Sequence, residues 1–141
     1  MTETAPSDPR FRGDLPERVD GIRILRCQTY ATPNTGIVKK TLGHVVFAVN
    51  ACRQAPAHLG PIDVIVASSP TLFSAAAAWR LSRRCKCPYV IEVRDLWPAI
   101  FVQLGVLKNR ALIRVLEAFE LLLYRKSRHV VTVTQGFADD I

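Results

Sequence analysis

The hydrophobic positions of the chain follow two different periods. Stretches such as "IDVIVASSP" are apolar at nearly every position, which is typical of parallel strands covered on both faces. In other stretches the apolar residues recur every three or four positions, as on the buried side of a helix. In chain order, the pattern predicts a strand at about 22–28, a helix at 37–54, a strand at 62–67, a helix at 70–86, a strand at 89–93, a short helix at 96–104, a longer helix at 109–126 and a last strand in "HVVTVT".

This order of strands and helices is typical of an α/β domain with an open parallel sheet and right-handed crossovers, and with helices on both faces of the sheet. Pro56 and Gly60 are expected to end the first long helix, because proline lacks the N–H that a helix interior needs and glycine is unfavourable in a helix. Residues 1–18 are rich in Pro, Asp and Arg and show no period, so they are expected to form a flexible leader. The domain itself is expected to cover 19–141.

Composition agrees with a globular protein. The 141 residues are 49% hydrophobic and 22% charged, which is enough for one domain with a core. The longest apolar candidate, "TLFSAAAAW", is followed at once by Arg80 and falls short of the ~18 residues that cross a bilayer. The first residues also lack the basic and then apolar plan of a secretory signal. A cytoplasmic location is therefore expected.

Charge narrows the class of partner. The net charge is +7, and residues 1–20 carry five acidic and three basic residues, so the rest of the chain is strongly basic. Such a field favours a phosphorylated substrate, the anionic inner leaflet of a membrane or nucleic acid. No basic motif flanked by aromatic residues indicates a nucleic-acid reader, so no nucleic acid is expected. No H-E-x-x-H, D-x-D or G-x-x-x-x-G-K-[ST] motif is present, so no metal is expected.

Ligands of parallel α/β sheets bind beyond the carboxyl ends of the strands. Ser68 and Ser69 follow one predicted strand, and Thr134 ends another. Ser69 with Pro70 fits a helix N-cap, and the same helix N-terminus with its hydroxyl could hold a phosphate or a sugar hydroxyl. Capping is favoured for Ser69 and Thr134, whereas Ser68 is balanced between lining a site and a structural role.

The stretch "YVIEVRDLWPA" interrupts a buried strand with charge. Alternation places Glu92 and Arg94 on one face, so they could form a structural ion pair. In the functional interpretation, Glu92 contacts the site residues rather than the ligand. Arg94 at the end of the strand could instead point into the cleft and bind an anionic substrate. Asp95 is either a second site residue or a helix N-cap, and Trp97 is either a packing anchor or a flat face for a sugar or lipid.

The helix at 109–126 combines a leucine-rich stripe with basic residues. The default interpretation is a helix that packs on the core and has a solvated basic rim. Contact with anionic lipid is the alternative, because clustered Lys and Arg are attracted to a membrane surface. The basic residues are Arg110, Arg114, Arg125, Lys126 and Arg128.

The ordered pieces "DVIVASSP", "EVRDLWP", "LGVLK", "LYRKS" and "VVTVTQGF" resemble the N-terminal half of family 4 glycosyltransferases, in particular bacterial enzymes that assemble O-antigen, capsule or colanic acid. The resemblance implies the acceptor-side, Rossmann-like domain of a GT-B enzyme. It implies sugar transfer with retention of configuration and without an essential metal or cofactor. The acceptor would be anionic, such as a polyprenyl-diphosphate sugar at the inner membrane.

The same resemblance implies what the 141 residues do not contain. The family's first strand with its glycine-rich loop is not recognisable, and the donor domain that binds the nucleotide-sugar is expected elsewhere. Many relatives have His at the position of Arg94, so a role there is not simply transferred. The chain is therefore expected to be a fragment that is inactive alone. The alternatives are an acceptor-docking subunit that pairs with a separate donor-domain polypeptide, and an unrelated α/β protein that binds an anionic ligand.

Overall fold

A computed structural model describes residues 16–29, 37–69 and 71–141. The chain divides into two compact units, Met1–Gly60 and Pro61–Ile141. Most of the predicted leader lies outside the described residues, as does Pro70.

The first unit begins with an antiparallel hairpin. Strand β1 (Glu17–Val19) pairs with β2 (Ile22–Ile24), and Asp20 and Gly21 form the turn with φ of 50° and 82°. An Asp-Gly pair favours such a turn, because both central residues need positive φ. The strand predicted at 22–28 is therefore shorter than expected, and it pairs with β1 rather than with the parallel sheet.

Helix α1 (Ile37–His58) completes the described part of the first unit and runs past Pro56. The helix ends between Pro56 and Gly60, four residues beyond the predicted end at 54. A proline in the last turn removes only one backbone hydrogen bond, and the helix continues until the Leu59 N–H donates to the Ala55 carbonyl at 3.0 Å.

The second unit contains a parallel sheet of three strands, β3 (Ile65–Ser69), β4 (Tyr89–Val93) and β5 (His129–Thr132), in the order β3-β4-β5. The strand predicted at 89–93 is confirmed, whereas β3 begins three residues later than the predicted 62–67. The open parallel α/β sheet predicted from the order of elements is confirmed for this unit.

Four helices connect or follow these strands: α2 (Leu72–Cys85), α3 (Ala99–Gln103), α4 (Arg110–Lys126) and α5 (Gln135–Asp140). Helix α4 begins where predicted because the Asn109 side chain accepts hydrogen bonds from the N–H groups of Ala111 and Leu112, at 3.0 and 3.1 Å. Helix α3 is shorter than the predicted 96–104, because 94–98 form bends and turns.

The core of the second unit lies between the sheet and helices α2 and α4. Tyr89, Ile91 and Val93 of the central strand and Leu123 of α4 are at most 1% exposed. The Tyr89 hydroxyl donates to the Leu123 carbonyl at 2.6 Å, and burial raises the pKa of Tyr89 to about 12. The hydroxyl therefore stays protonated and ties the central strand to α4.

On the opposite face of the sheet, two valines are exposed, whereas the apolar pattern predicted buried positions. Val66 of β3 is 67% exposed and Val131 of β5 is 50% exposed. Within the second unit, the buried residues of β3 are Ala67 and Ser69, on the face that packs against the helices.

Candidate functional site

The carboxyl ends of the three strands meet at one edge of the sheet. The register aligns Ser69 of β3 with Val93 of β4, and Val93 with Thr132 of β5. The residues that follow β4, Arg94 and Asp95, therefore leave the sheet at the same edge at which β3 and β5 end. The register thus brings the predicted strand-end residues to a common edge.

Ser68 and Glu92 lie side by side near this edge. They are paired in register on neighbouring strands, and alternation places them on the face opposite Ser69 and Val93. The Ser68 hydroxyl oxygen is buried and has no hydrogen-bond partner among the described residues. A buried hydroxyl without a partner is unfavourable by about 1–3 kcal/mol. The pair presents a donor and an acceptor of the kind that bind a sugar hydroxyl.

Arg94 and Asp95 follow directly. Arg94 is exposed, Asp95 and Glu92 are half-buried, and within the described ranges none of the three makes a hydrogen bond or an ion pair through its side chain. The predicted alternative of an ion pair between Glu92 and Arg94 is therefore not observed. Asp95 does not cap a helix, because α3 begins at Ala99 with Pro98 in the N-cap position.

Ser69 and Thr134 have structural roles. Ser69 is buried, and its hydroxyl lies 3.4 Å from the Thr71 carbonyl oxygen. The N-cap of α2 is Thr71, so the capping prediction for Ser69 is wrong by two residues. Thr134 does cap α5, since its hydroxyl oxygen accepts a hydrogen bond from the Phe137 N–H at 3.3 Å. Capping was the favoured interpretation of Thr134, and it is confirmed.

Trp97 lies in the turn after β4 and lines a cavity next to it. Its ring packs edge-on against Phe101, with centroids 4.4 Å apart, and against Phe73 at 6.3 Å. These contacts agree with a packing anchor. Trp97 also lines a cavity of about 440 Å³, which none of the other predicted site residues reaches. The cavity is lined by Leu96, Trp97, Pro98, Ala99, Gln103, Glu117, Glu120, Leu121, Tyr124, Asp140 and Ile141.

Glu120 and Tyr124 are polar residues of this cavity that the sequence analysis missed. They lie one turn apart on α4, and the Tyr124 hydroxyl donates to Glu120 Oε1 at 2.6 Å. Burial raises the pKa of Glu120 above its ordinary value, although hydrogen bonds from Tyr124 and from the Trp97 backbone partly offset that effect. Burial and the bond to Glu120 also raise the pKa of Tyr124. The four-residue spacing on the core-facing side of 109–126 was the available signal.

We expect Glu120 to make stability depend on pH. The folded protein holds the Glu120 proton more tightly than the unfolded chain does, because burial raises its folded pKa from 4.5. The unfolded state therefore binds fewer protons above that pH, and stability should fall as pH rises through the raised pKa. Glu120→Gln should reduce the loss of melting temperature between about pH 5 and about pH 8, because the amide does not ionise.

Asp63→Asn is the control for this measurement, since Asp63 is an exposed acidic residue of the same unit that does not line the cavity. Melting followed by circular dichroism at both pH values compares the three proteins. An equal pH dependence of the wild type and Glu120→Gln would contradict the prediction.

Among the described residues, no group of three or more His, Cys, Asp or Glu side chains is arranged to hold a metal ion. In the same part of the chain, no helix combines the length and the apolar character needed to span a bilayer.

Comparison with known proteins identifies a family. No curated protein and no solved structure matches the chain significantly. Among protein families, the glycosyl transferase 4-like domain matches residues 3–141, which is nearly the whole length. The parallel three-stranded sheet with its helices agrees with that match. The chain therefore belongs to the glycosyl transferase 4-like domain family.

Proposed function

We propose that this domain forms the acceptor side of a GT-B glycosyltransferase. In this proposal the domain binds a lipid-linked or polysaccharide acceptor used in cell-surface glycan synthesis, such as a polyprenyl-diphosphate sugar. A donor-binding domain, in the same chain or in a separate polypeptide, supplies the nucleotide-sugar. Membership of the glycosyl transferase 4-like family supports the reaction class. The acceptor class rests on the chemistry of the carboxyl edge.

The observation that carries this proposal is the unsatisfied polarity at the carboxyl edge. The Ser68 hydroxyl is buried without a hydrogen-bond partner in the described part of the chain, and Glu92 lies beside it in register. Arg94 and Asp95 follow with side chains that make no hydrogen bond or ion pair to the described residues. Hydroxyl and carboxylate groups together match the donors and acceptors of a sugar, and a guanidinium fork matches a phosphate.

In the proposed reaction, four side chains at the carboxyl edge bind the acceptor and assist the transfer. The Arg94 guanidinium binds the diphosphate of the acceptor, and Ser68 and Glu92 orient its sugar. The acceptor hydroxyl forms a bond to the anomeric carbon of the donor sugar while the bond from that carbon to the nucleotide diphosphate breaks. Asp95 accepts a hydrogen bond from the attacking hydroxyl and is the candidate group for its proton. The 141 residues alone then bind acceptor and transfer no sugar.

Ser68→Ala tests this assignment. We expect the variant to melt at the same or a higher temperature than the wild type, because it removes a buried hydroxyl that has no partner among the described residues. We expect it to bind a short-chain polyprenyl-diphosphate sugar about tenfold more weakly, the effect of one lost hydrogen bond. Calorimetric titration of the purified chain with this ligand, and with inorganic diphosphate, measures both affinities.

Inorganic diphosphate is the control ligand, and it distinguishes an acceptor-binding site from a general anion-binding protein. Inorganic diphosphate should bind wild type and Ser68→Ala equally, because it engages only Arg94. Equal binding of the diphosphate sugar and of diphosphate alone by the wild type would instead favour a general anion-binding protein. Addition of a donor-domain polypeptide with nucleotide-sugar then tests transfer directly.

A further inference from the structure

Residues 94–98, between β4 and α3, form a turn that carries two of the proposed site residues. We call it the site turn. It begins with Arg94 and Asp95, whose side chains make no hydrogen bond or ion pair to the described residues. The positions of these two side chains therefore depend on the backbone of the turn, and hence on how its other end, Trp97 and Pro98, is held.

The side of the site turn that faces α2 is closely packed. The Pro98 side chain is less than 2% exposed, and the Trp97 ring lies edge-on against Phe73 of α2, with centroids 6.3 Å apart. Phe101 of α3 contacts the same ring, with centroids 4.4 Å apart. Apolar contacts therefore hold the turn on this side.

The side that faces α4 is held differently. The cavity of about 440 Å³ lies between the site turn and α4, since residues of both line it. Close packing holds the turn poorly across such a space, because atoms that line a void have no partners on that side. A hydrogen bond joins the two elements instead: the Glu120 carboxylate on α4 accepts from the Trp97 backbone N–H.

Tyr124 orients the Glu120 carboxylate. Its hydroxyl donates to Glu120 Oε1 at 2.6 Å, and the two residues lie one helical turn apart on α4. Both side chains are half-buried, so water competes less for these hydrogen bonds than it does at the surface. Hydrogen bonds to a carboxylate are also stronger than those between neutral groups. Glu120 therefore holds a fixed orientation toward the site turn.

We propose that Glu120, oriented by Tyr124, is a positioning residue that holds the site turn in the conformation in which Arg94 and Asp95 meet the acceptor. This inference rests on the proposed function, because it concerns how the acceptor site is kept ready for its ligand. A turn that is ordered before binding gives higher affinity, because the ligand does not have to order it. Loss of the link should weaken binding about tenfold, which is the effect of ordering the backbone of one residue.

The first test measures the order of the site turn without any ligand, and the second measures affinity. Amide hydrogen exchange followed by NMR should be about tenfold faster or more at the Trp97 N–H in Glu120→Ala than in the wild type, because the acceptor of that N–H is lost. Calorimetric titration should show about tenfold weaker binding of inorganic diphosphate by Glu120→Ala. Glu120→Gln keeps a carbonyl oxygen and should recover part of both losses.

Two tyrosines provide a matched pair that separates positioning from stability. Tyr124→Phe and Tyr89→Phe each remove one hydroxyl that donates at 2.6 Å to an acceptor on α4. Tyr89 begins β4 and therefore lies at the opposite end of that strand from the site turn. Both variants should melt at a lower temperature than the wild type, whereas only Tyr124→Phe should weaken diphosphate binding, by about threefold.

Arg94→Ala combined with Glu120→Ala tests whether Glu120 acts through Arg94. The double variant should bind diphosphate no more weakly than Arg94→Ala alone, because the contact that Glu120 positions is already absent. An additive loss would overturn the proposal. Equal losses of affinity in the two tyrosine variants would also overturn it, as would an unchanged exchange rate of the Trp97 N–H in Glu120→Ala.

Failure of the proposed function gives a different result. If the wild type binds diphosphate and the diphosphate sugar equally well, the acceptor assignment is contradicted. A loss of diphosphate affinity in Glu120→Ala that disappears in the Arg94→Ala background still supports the role of Glu120. Circular dichroism melting checks that each variant is folded at the temperature of the titration.

Discussion

Replacing Ile91 with alanine is expected to lower the free energy of unfolding of the second unit by about 3 kcal/mol. Ile91 lies in the middle of the central strand, is 0% exposed and belongs to the cluster that joins the sheet to α2 and α4. The substitution removes the carbon atoms beyond Cβ, so their hydrophobic stabilisation is lost. It also leaves a cavity that the close-packed neighbours fill only in part. A loss of this size is a large fraction of the stability of a small domain.

Urea unfolding followed by circular dichroism measures the change. Val93→Ala and Val66→Ala provide a matched pair, because the same substitution is made in neighbouring strands at 0% and at 67% exposure. Val93→Ala should destabilise by about 2 kcal/mol and Val66→Ala by well under 1 kcal/mol. Similar losses in the two valine variants would contradict the exposure of Val66 and show that its face of the sheet is buried as well.

The elements with the strongest local signals were predictable from sequence. Strand β4 was predicted at its observed bounds because an apolar run there is followed by charge. Helix α4 was predicted within one residue from its long apolar stripe, and the Asn109 cap found in the structure fixes its start. In both cases several local preferences agree, which is the condition under which sequence specifies structure.

Other features depend on contacts that no local pattern carries. Strand β3 begins at Ile65 because the Ile65 N–H donates to the Pro88 carbonyl, a partner that is distant in sequence. Ser69 and Pro70 had the composition of a helix start, yet Thr71 occupies the N-cap position. The chain remains extended through Ser69 because that residue pairs with Val93. Tertiary pairing therefore overrides the local capping preference.

In the candidate site, too, some features were predictable from sequence and others depend on tertiary contacts. The strand-end rule predicted which residues share an edge, since register follows from parallel pairing. It did not predict the cavity with Glu120 and Tyr124, which needs the packing of α4 against the turn at Trp97. It also did not locate the basic charge. The net charge of +7 predicted an anionic partner without locating it, and the topology of α2 and α4 places most of the basic groups of this unit at the edge opposite the candidate site.

Because most basic groups of this unit lie at the opposite edge, Arg94 is the critical basic residue of the proposed acceptor site. Arg94→Ala is expected to weaken binding of a polyprenyl-diphosphate sugar about 100-fold, because hydrogen bonds between charged groups contribute about 1.5–3 kcal/mol. Transfer in the presence of a donor-domain polypeptide should fall by a similar factor. Arg94 is exposed and makes no ion pair with the described residues, so the melting temperature should stay within the range of surface substitutions.

Two variants sharpen this prediction. Arg94→Lys keeps the charge and loses the planar fork, so it should recover only part of the affinity. Arg110→Ala removes an exposed basic residue from the start of α4 and should leave affinity nearly unchanged. If Arg94→Ala and Arg110→Ala weaken binding equally, the effect is one of net charge, and Arg94 has no specific contact with the diphosphate. If only Arg94→Ala does so, the diphosphate lies at the carboxyl end of β4, because no other basic side chain directly follows a strand of the parallel sheet at that edge.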